Sequence, residues 1–594
     1  MTHDTSVRNL ELARVSGWVA NLWSKTCPRL VLFLFFFLLY AVLLGSEGLE
    51  SPNIGTRYLL ARAIVEDNAL TWTWPKELFW FFPDYGVLDG TFLSDKAPGL
   101  SFVMVPVYLL AKIITPLLGG STGPVSAGLT DVDHLALAWL KLLTSAVAAF
   151  GLVRLVDLGQ LLDLPHRLTV LSTIMVGFTT LYLVYAPTLF PSVLVGVLVV
   201  LVVYHLVRYD RQAYPSDLLM AGLVAGFGCV VEYSSVLLLP WFAWFVLSRL
   251  LWVGLPALRR TLVDLCLFGS AIFVGIAPLL LYNWALLGHP LTTTYQYSHW
   301  VTSIHFYYDL IAGLDVLLLR PSKGLFFFNP VLFLAFLGFF TGGLVRRHPR
   351  ETTLLLASIL TTVFFYAKNF DPTGGTAYGP RYIIPIIPLM VIGLGGWLVW
   401  IRRSPLGLNI TLFTTLWSGL TSWIGVLGVG VFPEPPEEHP LFQLAWENVT
   451  TQSYHPTLLA NSPPLFWGLL VVMVALVGWW AKDSIADLWH FTEQSGLLTS
   501  FDVWLGVDVL GGQNNFAPTR NLYLYLTLSM VLGWFYLVLF LLVGTTFLSS
   551  AFPGSRGSIV ADLSVIVTWL VLTAGLTYQW FQKGGMSEKV EGSV

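Results

Sequence analysis

Long apolar blocks separated by short polar ones run through most of the chain, and their lengths suit membrane crossings rather than the strands or helices of a soluble core. Spans are predicted over 29–45, 134–156, 168–186, 190–208, 216–233, 235–252, 264–286, 326–345, 352–368, 381–401, 406–431, 464–481, 521–548 and 558–581, about fourteen in all. Two further segments carry helical periodicity without reading as simple spans. Residues 55–67, GTRYLLARAIVED, are too polar to cross and read as a helix lying on the membrane surface. Residues 99–118, GLSFVMVPVYLLAKIITPLL, are long enough to cross but carry Pro106, Lys112 and Pro116.

Lys and Arg in short loops decide the status of 99–118. Arg154 to Arg167, Arg208 to Arg211, Arg259/Arg260, Arg346 to Arg350 and Arg402/Arg403 all fall on the cytoplasmic side if 99–118 stays in the outer interface. They fall outside if it crosses. An interfacial helix is therefore expected, with both termini cytoplasmic and residues 46–133 forming a first outer loop. Residues 1–28 read as a polar inner tail preceding a retained first span rather than a cleavable signal. The division expected is a transmembrane catalytic module over 29–405 and a C-terminal membrane region over 406–594 with an outer loop at 433–463.

Composition agrees: 594 residues, 56% hydrophobic and 11% charged, with net charge -3. Soluble chains carry about 25% charged residues, so an all-α polytopic membrane protein is expected. The absence of a basic tail or block excludes nucleic acid as a natural partner. Cys27, Cys229 and Cys266 have no metal or redox spacing. Gly222 and Gly226 form a GxxxG that predicts close helix packing.

Charge gathers most densely in 46–98, just after the first span. Glu47 and Glu50 lie at that span's outer end, where a carboxylate can take a proton from an acceptor. Asp95 abuts Lys96, either as a further acid or as the partner that orients the lysine. Lys96, in Lys96-Ala97-Pro98-Gly99, suits a lipid phosphate at headgroup level. Arg57 and Arg381 supply further cations, the latter following the Gly-rich FDPTGGTAYGP loop. Asp84 is another candidate acid, and Asp89-Gly90 reads as a turn. Glu232-Tyr233 marks a tight outer turn and, with Tyr58, Tyr378 and Tyr382, is expected to line a substrate site. Asp131 and Asp133, two carboxylates one residue apart beside His134, suit either Mg2+ or Mn2+ against a phosphate or the capping of the following helix. A metal is optional, and no other cofactor is expected. No nucleotide-binding Gly loop, zinc spacing or nucleophile elbow is present.

In order, TRYLLARAIVE, SDKAPG, RLVDLGQLLDLPHR, LVAGFGCVVEYSSVLLLP, YNWALLGHP, RPSKGLFFFNPVLF and GGTAYGPRYIIPIIP resemble the GT-C superfamily of integral-membrane glycosyltransferases over roughly 29–400. The nearest likeness is to the protein mannosyltransferases, the aminoarabinose lipid A transferases and the RgtA/B/C/D-like transferases. The resemblance implies a polyprenyl-phosphate-linked sugar donor, a glycan, lipid or protein acceptor, and inverting transfer on the extracytoplasmic face of the plasma membrane. It implies donor-phosphate contact by Lys96, which with Pro98 matches the family's lysine–proline step, and it matches Arg57-Tyr58 to an Arg-Tyr pair. The acid usual about three residues before that arginine is missing, because Asn53, Ile54, Gly55 and Thr56 stand there. Glu50 is the substitute expected. Two other readings remain at this point: a transporter or flippase of lipid-linked sugars, and a non-catalytic membrane subunit descended from a transferase.

Overall fold

The computed structural model describes residues 29–44, 51–73, 84–121, 124–126, 129–299, 308–402, 404–430 and 440–451. Glu47, Glu50, the inner tail 1–28, the last three expected spans and most of the 433–463 loop lie outside them. The helices are α1 Arg29–Val42, then α2 Pro52–Glu66, α3 Gly99–Ile114, α4 Asp131–Leu161, α5 His166–Thr179, α6 Leu181–Tyr185, α7 Pro191–Gln212, α8 Pro215–Val231, α9 Leu239–Leu247 and α10 Arg249–Val253. There follow α11 Leu258–Leu287, α12 Leu310–Leu314, α13 Leu325–Phe328, α14 Val331–Thr341, α15 Leu344–Arg347, α16 Pro349–Ala367, α17 Met390–Ile401, α18 Pro405–Gly428 and α19 Trp446–Thr450. The described chain is an all-α polytopic membrane protein, in which the β structure is confined to two small two-stranded sheets. Six helical stretches are long and apolar enough to cross a bilayer by length and composition.

Ion pairs collect the basic loops at one end of the bundle. Asp163 meets His348 at 3.1 Å, Asp210 meets Arg350 at 2.8 Å, and Arg211 meets Glu351 at 3.8 Å. The segments 154–167, 208–211 and 346–350 thus share a face, as their Lys/Arg content predicts.

α3 lies across the opposite end. α4 and α7 run in parallel, since a Cβ on Gly151 would meet the Val197 side chain and Arg154 sits over Tyr204. α8 returns beside α7, so the start of α4 and the end of α8 share one face. α3 begins against the end of α8, where a Cβ on Gly99 would lie 2.6 Å from the Val230 carbonyl. Its continuation reaches the start of α4, where the Ser121 amide donates to Asp131 at 2.6 Å. Between these points α2 lies alongside: Tyr108 donates to Glu66 at 3.0 Å, and Lys112 pairs with the same carboxylate at 2.6 Å. Both ends of 99–118 therefore touch the same end of the bundle, and this stretch is also one of the six long and apolar enough to cross.

Other local predictions meet structure directly. Asp89-Gly90 joins β1 Tyr85–Leu88 to β2 Thr91–Ser94 as a two-residue hairpin, with φ of 48° and 80° at the turn. Gly222 and Gly226 press α8 against α11: a Cβ on Gly226 would stand 2.3 Å from the Ile272 carbonyl oxygen. The expected 381–401 span differs. Residues Arg381–Ile386 form a 3-10 turn and the α-helix starts only at Met390. Pro380, Pro385 and Pro388 remove amide donors there and keep the chain from closing regular turns.

Candidate active site: a cationic cavity at the interfacial end

Lys96 is delivered by the β1–β2 hairpin and fixed by the packing of the helix after it. Gly99 abuts the end of α8, so the preceding turn lies beside Glu232. The Lys96 ammonium pairs with Asp95 at 3.2 Å and Asp84 at 3.5 Å, and stands 5.3 Å from the centre of the Tyr295 ring. Asp95 also accepts from Ser298 Oγ at 2.8 Å. Burial pulls the ammonium toward neutrality, but the Asp95 and Asp84 carboxylates outweigh it and hold its pKa above the ordinary lysine value. Asp95 is 1% exposed and faces away from the cavity. Its geometry is that of the residue that orients the lysine.

Arg57 projects from α2 into full burial, at 0% exposure. It pairs with Glu232 Oε2 at 3.2 Å and donates to the side-chain oxygen of Asn53 and, at 3.4 Å, to its carbonyl. Glu232 caps α8 with extended backbone, φ −150° and ψ 122°, which turns its carboxylate out of the helix. Arg57 thus stands behind the wall and Glu232 on it.

Arg381 comes after a loop built for close approach. Asp371 accepts from the Thr373 amide at 3.0 Å and the Gly375 amide at 3.1 Å, and from the Thr373 hydroxyl. Gly374, at φ +70°, leaves room for the arginine, whose Cγ would lie 2.8 Å from a Cβ there. Lys323 pins the loop by donating to the carbonyls of Gly375 at 2.6 Å and of Ala377. Burial, with the charge of Arg381, pushes the Lys323 pKa down to about 8. The Arg381 guanidinium lies 5.4 Å from the Phe190 ring centre and 5.0 Å from that of Tyr382. Tyr382 stacks on Tyr366 at 4.8 Å, and Tyr366 bonds Ser234 Oγ at 2.9 Å. No carboxylate pairs with Arg381 among the described residues. A partly desolvated cation held by two ring faces and one tyrosine hydroxyl at 3.4 Å, with no carboxylate against it, invites an anion.

These groups surround a cavity of about 350 Å³. Lys96, Arg381, Asp84, Glu232, Asp371 and Asn53 provide its charged and polar wall, and Tyr233, Tyr295, Tyr366 and Tyr382 its aromatic one. It continues past Phe190 to Val195 and Val199 on α7 and to Ser358 on α16. At 1.5 Å per helical residue, Val199 lies about 12 Å below the start of α7. One end of the cavity is cationic and the other is apolar and deep.

Of the residues singled out from sequence, Lys96, Arg381, Glu232, Tyr233 and Tyr382 converge on this cavity. Arg57 and Asp95 stand one layer behind it. Tyr58 and Tyr378 do not line it. Tyr58 is fully buried and donates to Asp133 at 2.7 Å, and Tyr378 is fully buried and donates to the Thr421 carbonyl at 2.8 Å. Their hydroxyls are core anchors. Asp131 and Asp133, read as either a metal pair or helix caps, both make local contacts. Asp133 closes a capping box with Thr130, accepting from its amide at 2.7 Å and its hydroxyl at 2.8 Å, while Asp131 holds the Ser121 amide. Among the described residues no group of three or more His, Cys, Asp or Glu side chains gathers to hold a metal. Tyr366 and Lys323 were missed. A tyrosine at the end of an apolar span looks like an interface anchor, and RPSKG gives no sign that its lysine reaches a loop some fifty residues on.

No protein-family model matches the sequence, and no curated protein matches it. Similar solved structures include two of ArnT. One is ArnT from Cupriavidus metallidurans bound to undecaprenyl phosphate, with a TM-score of 0.42 and 15% identity over 80% of this chain and 78% of that one. The other is ArnT from the same organism in the apo state, with a TM-score of 0.39 and 14% identity over 67% of this chain and 62% of that one.

Proposed function

We propose that the chain is a membrane glycosyltransferase that moves a sugar from a polyprenyl-phosphate-linked donor to an acceptor on the extracytoplasmic face. The observation that carries this reading is the cavity's polarity. Buried Lys96 and partly buried Arg381 share a chamber whose far end runs down between apolar helices, which matches a ligand with an anionic head and a hydrocarbon tail. Its volume falls at the low end of the roughly 300–1,000 Å³ of ligand pockets, suited to the phosphate and sugar with the rest of the tail in lipid. The cavity lies at the end of the bundle opposite the arginine-rich loops, which favours its opening to the extracytoplasmic side.

Lys96 and Arg381 hold the carrier phosphate and neutralise the charge it gains as the bond to the sugar breaks. Arg381, with no carboxylate partner among the described residues, breaks no ion pair when it turns to the phosphate. Lys96 exchanges part of its contact with Asp84 for the phosphate while Asp95 keeps it in place. Tyr233, Tyr295 and Tyr382 offer ring faces and hydroxyls at the scale of one sugar. An acceptor glycan, lipid or protein enters from the open end.

The test is transfer from radiolabelled polyprenyl-phosphate sugars to acceptors in proteoliposomes. Label leaving the carrier with wild type and not with Lys96→Ala or Arg381→Ala supports the reading. Carrier label that stays intact with wild type across the common sugars contradicts it.

A further inference from the structure

Transfer is helped by a base that takes the acceptor's proton, a role a carboxylate can fill, and the position three residues before Arg57 is Ile54, an apolar side chain 7% exposed. Among the described residues, which do not include Glu47 and Glu50, three carboxylates line the cavity: Asp84, Glu232 and Asp371. Asp371 has both oxygens engaged by Thr373 and Gly375 and shapes its own loop. Asp84 pairs with Lys96, the cation assigned to the leaving phosphate. In an in-line displacement the base works on the face opposite the leaving group, so a carboxylate tied to the phosphate's own lysine is on the wrong side. Glu232 remains. Arg57 anchors its Oε2, and Oε1 has no protein donor among the described residues. Its side chain keeps 19% exposure. Asn53 and Arg57 on one element and Glu232 on another thus place a carboxylate beside the family-like arginine from a different part of the chain.

Resting on the transferase reading, we propose that Glu232 is the general base, oriented by Arg57, that removes the proton from the acceptor hydroxyl or amine. The acceptor's heavy atom bonds the anomeric carbon as its proton passes to Glu232 Oε1. The bond from the anomeric carbon to the phosphate oxygen breaks, and its electron pair leaves with the polyprenyl phosphate between Lys96 and Arg381. Glu232 then returns the proton to solvent through the open end. Arg57 is a positioning residue in this scheme.

The experiment compares wild type, Glu232→Gln, Glu232→Ala and Lys96→Ala, all in the full chain. Two readouts are taken: transfer from labelled polyprenyl-phosphate sugars, and binding of undecaprenyl phosphate as a probe. Glu232→Gln keeps an oxygen for Arg57, so binding should stay within about 3-fold of wild type while transfer falls about 100-fold or more. Azide added to Glu232→Ala should restore turnover by attacking the anomeric carbon itself, forming a glycosyl azide and releasing polyprenyl phosphate. A purely structural glutamate gives no such product. Should Glu232→Ala fail to fold, Glu232→Gln must still lose transfer while keeping probe binding. Near wild-type transfer by Glu232→Gln, with Lys96→Ala inactive, overturns the assignment and leaves the transferase reading intact. Absence of transfer by wild type, or equal probe binding by Lys96→Ala, overturns both.

Discussion

Arg57→Met and Arg381→Met are expected to change the stability of the unliganded protein in opposite directions. Arg57 is fully buried and Arg381 partly so, and they differ in what faces them. Arg57 has Glu232 at 3.2 Å and two oxygens of Asn53. Removing one partner of a buried pair costs about 3–5 kcal/mol, because the other charge is left behind. Glu232 retains some exposure through the cavity, which places Arg57→Met near the lower figure, about 3 kcal/mol. Arg381 faces only Phe190, Tyr382 and the Tyr382 hydroxyl at 3.4 Å. Its loss removes two cation–π contacts worth about 1 kcal/mol each and relieves a desolvation penalty of several kcal/mol. Arg381→Met should therefore be neutral or stabilising by up to about 2 kcal/mol. Thermal unfolding in detergent without lipid phosphate reads the difference. With undecaprenyl phosphate added, the order should reverse in kind: wild type gains melting temperature and Arg381→Met does not. Equal destabilisation by the two variants in the absence of ligand would refute the claim that Arg381 is held ready for an anion.

Individual contacts give further expected outcomes. Asp133→Asn should lower stability by about 2 kcal/mol through the lost capping box and the weakened Tyr58 bond, with undecaprenyl phosphate affinity unchanged in a binding titration. Gly226→Leu should prevent α8 from reaching α11 and abolish the folded protein, read as loss of a monodisperse peak on size exclusion. Lys323 has its pKa lowered to about 8, so the unfolded chain binds its proton more tightly between about pH 8 and pH 10.4, and stability gains from this group as pH rises through that window. Phosphate arriving near Arg381 should draw a proton onto Lys323, so calorimetry at about pH 8.5 in buffers of different ionisation enthalpy should show net proton uptake. Lys323→Met should remove that uptake.

What the sequence disclosed, and what it withheld, tracks the range of the interactions. The hairpin at Asp89-Gly90 and the helix contact at Gly222 and Gly226 are written in residues that admit few alternatives. For α3 the sequence offers two signals, a composition that allows a span and an arginine distribution over later loops that favours the interface. Lys96 and Arg381 could be picked out by their settings, one in Lys96-Ala97-Pro98-Gly99 and the other after the Gly-rich FDPTGGTAYGP loop. The aromatic residues were less readable. Tyr58, Tyr378, Tyr233 and Tyr382 carry the same amphipathic signal, and only packing separates the first two, bonded inside the core, from the second two on the cavity. The pairing of Arg57 with Glu232 joins residues 175 positions apart, and no local pattern announces it. The proline-broken start of the 381–401 segment was visible as prolines but not as a turn that aims Arg381 inward.

The central claim is that this cavity grips the phosphate end of a polyprenyl carrier. The most direct measurement compares the affinity of the purified protein for undecaprenyl phosphate and for undecaprenol, in wild type and in a Lys96→Ala, Arg381→Ala variant. A charge-assisted contact in a desolvated site is worth about 2–5 kcal/mol, so wild type should prefer the phosphate by at least about 30-fold, and the double variant should bind the two lipids alike. Equal affinity for both lipids in wild type, or an undiminished preference in the double variant, would contradict it.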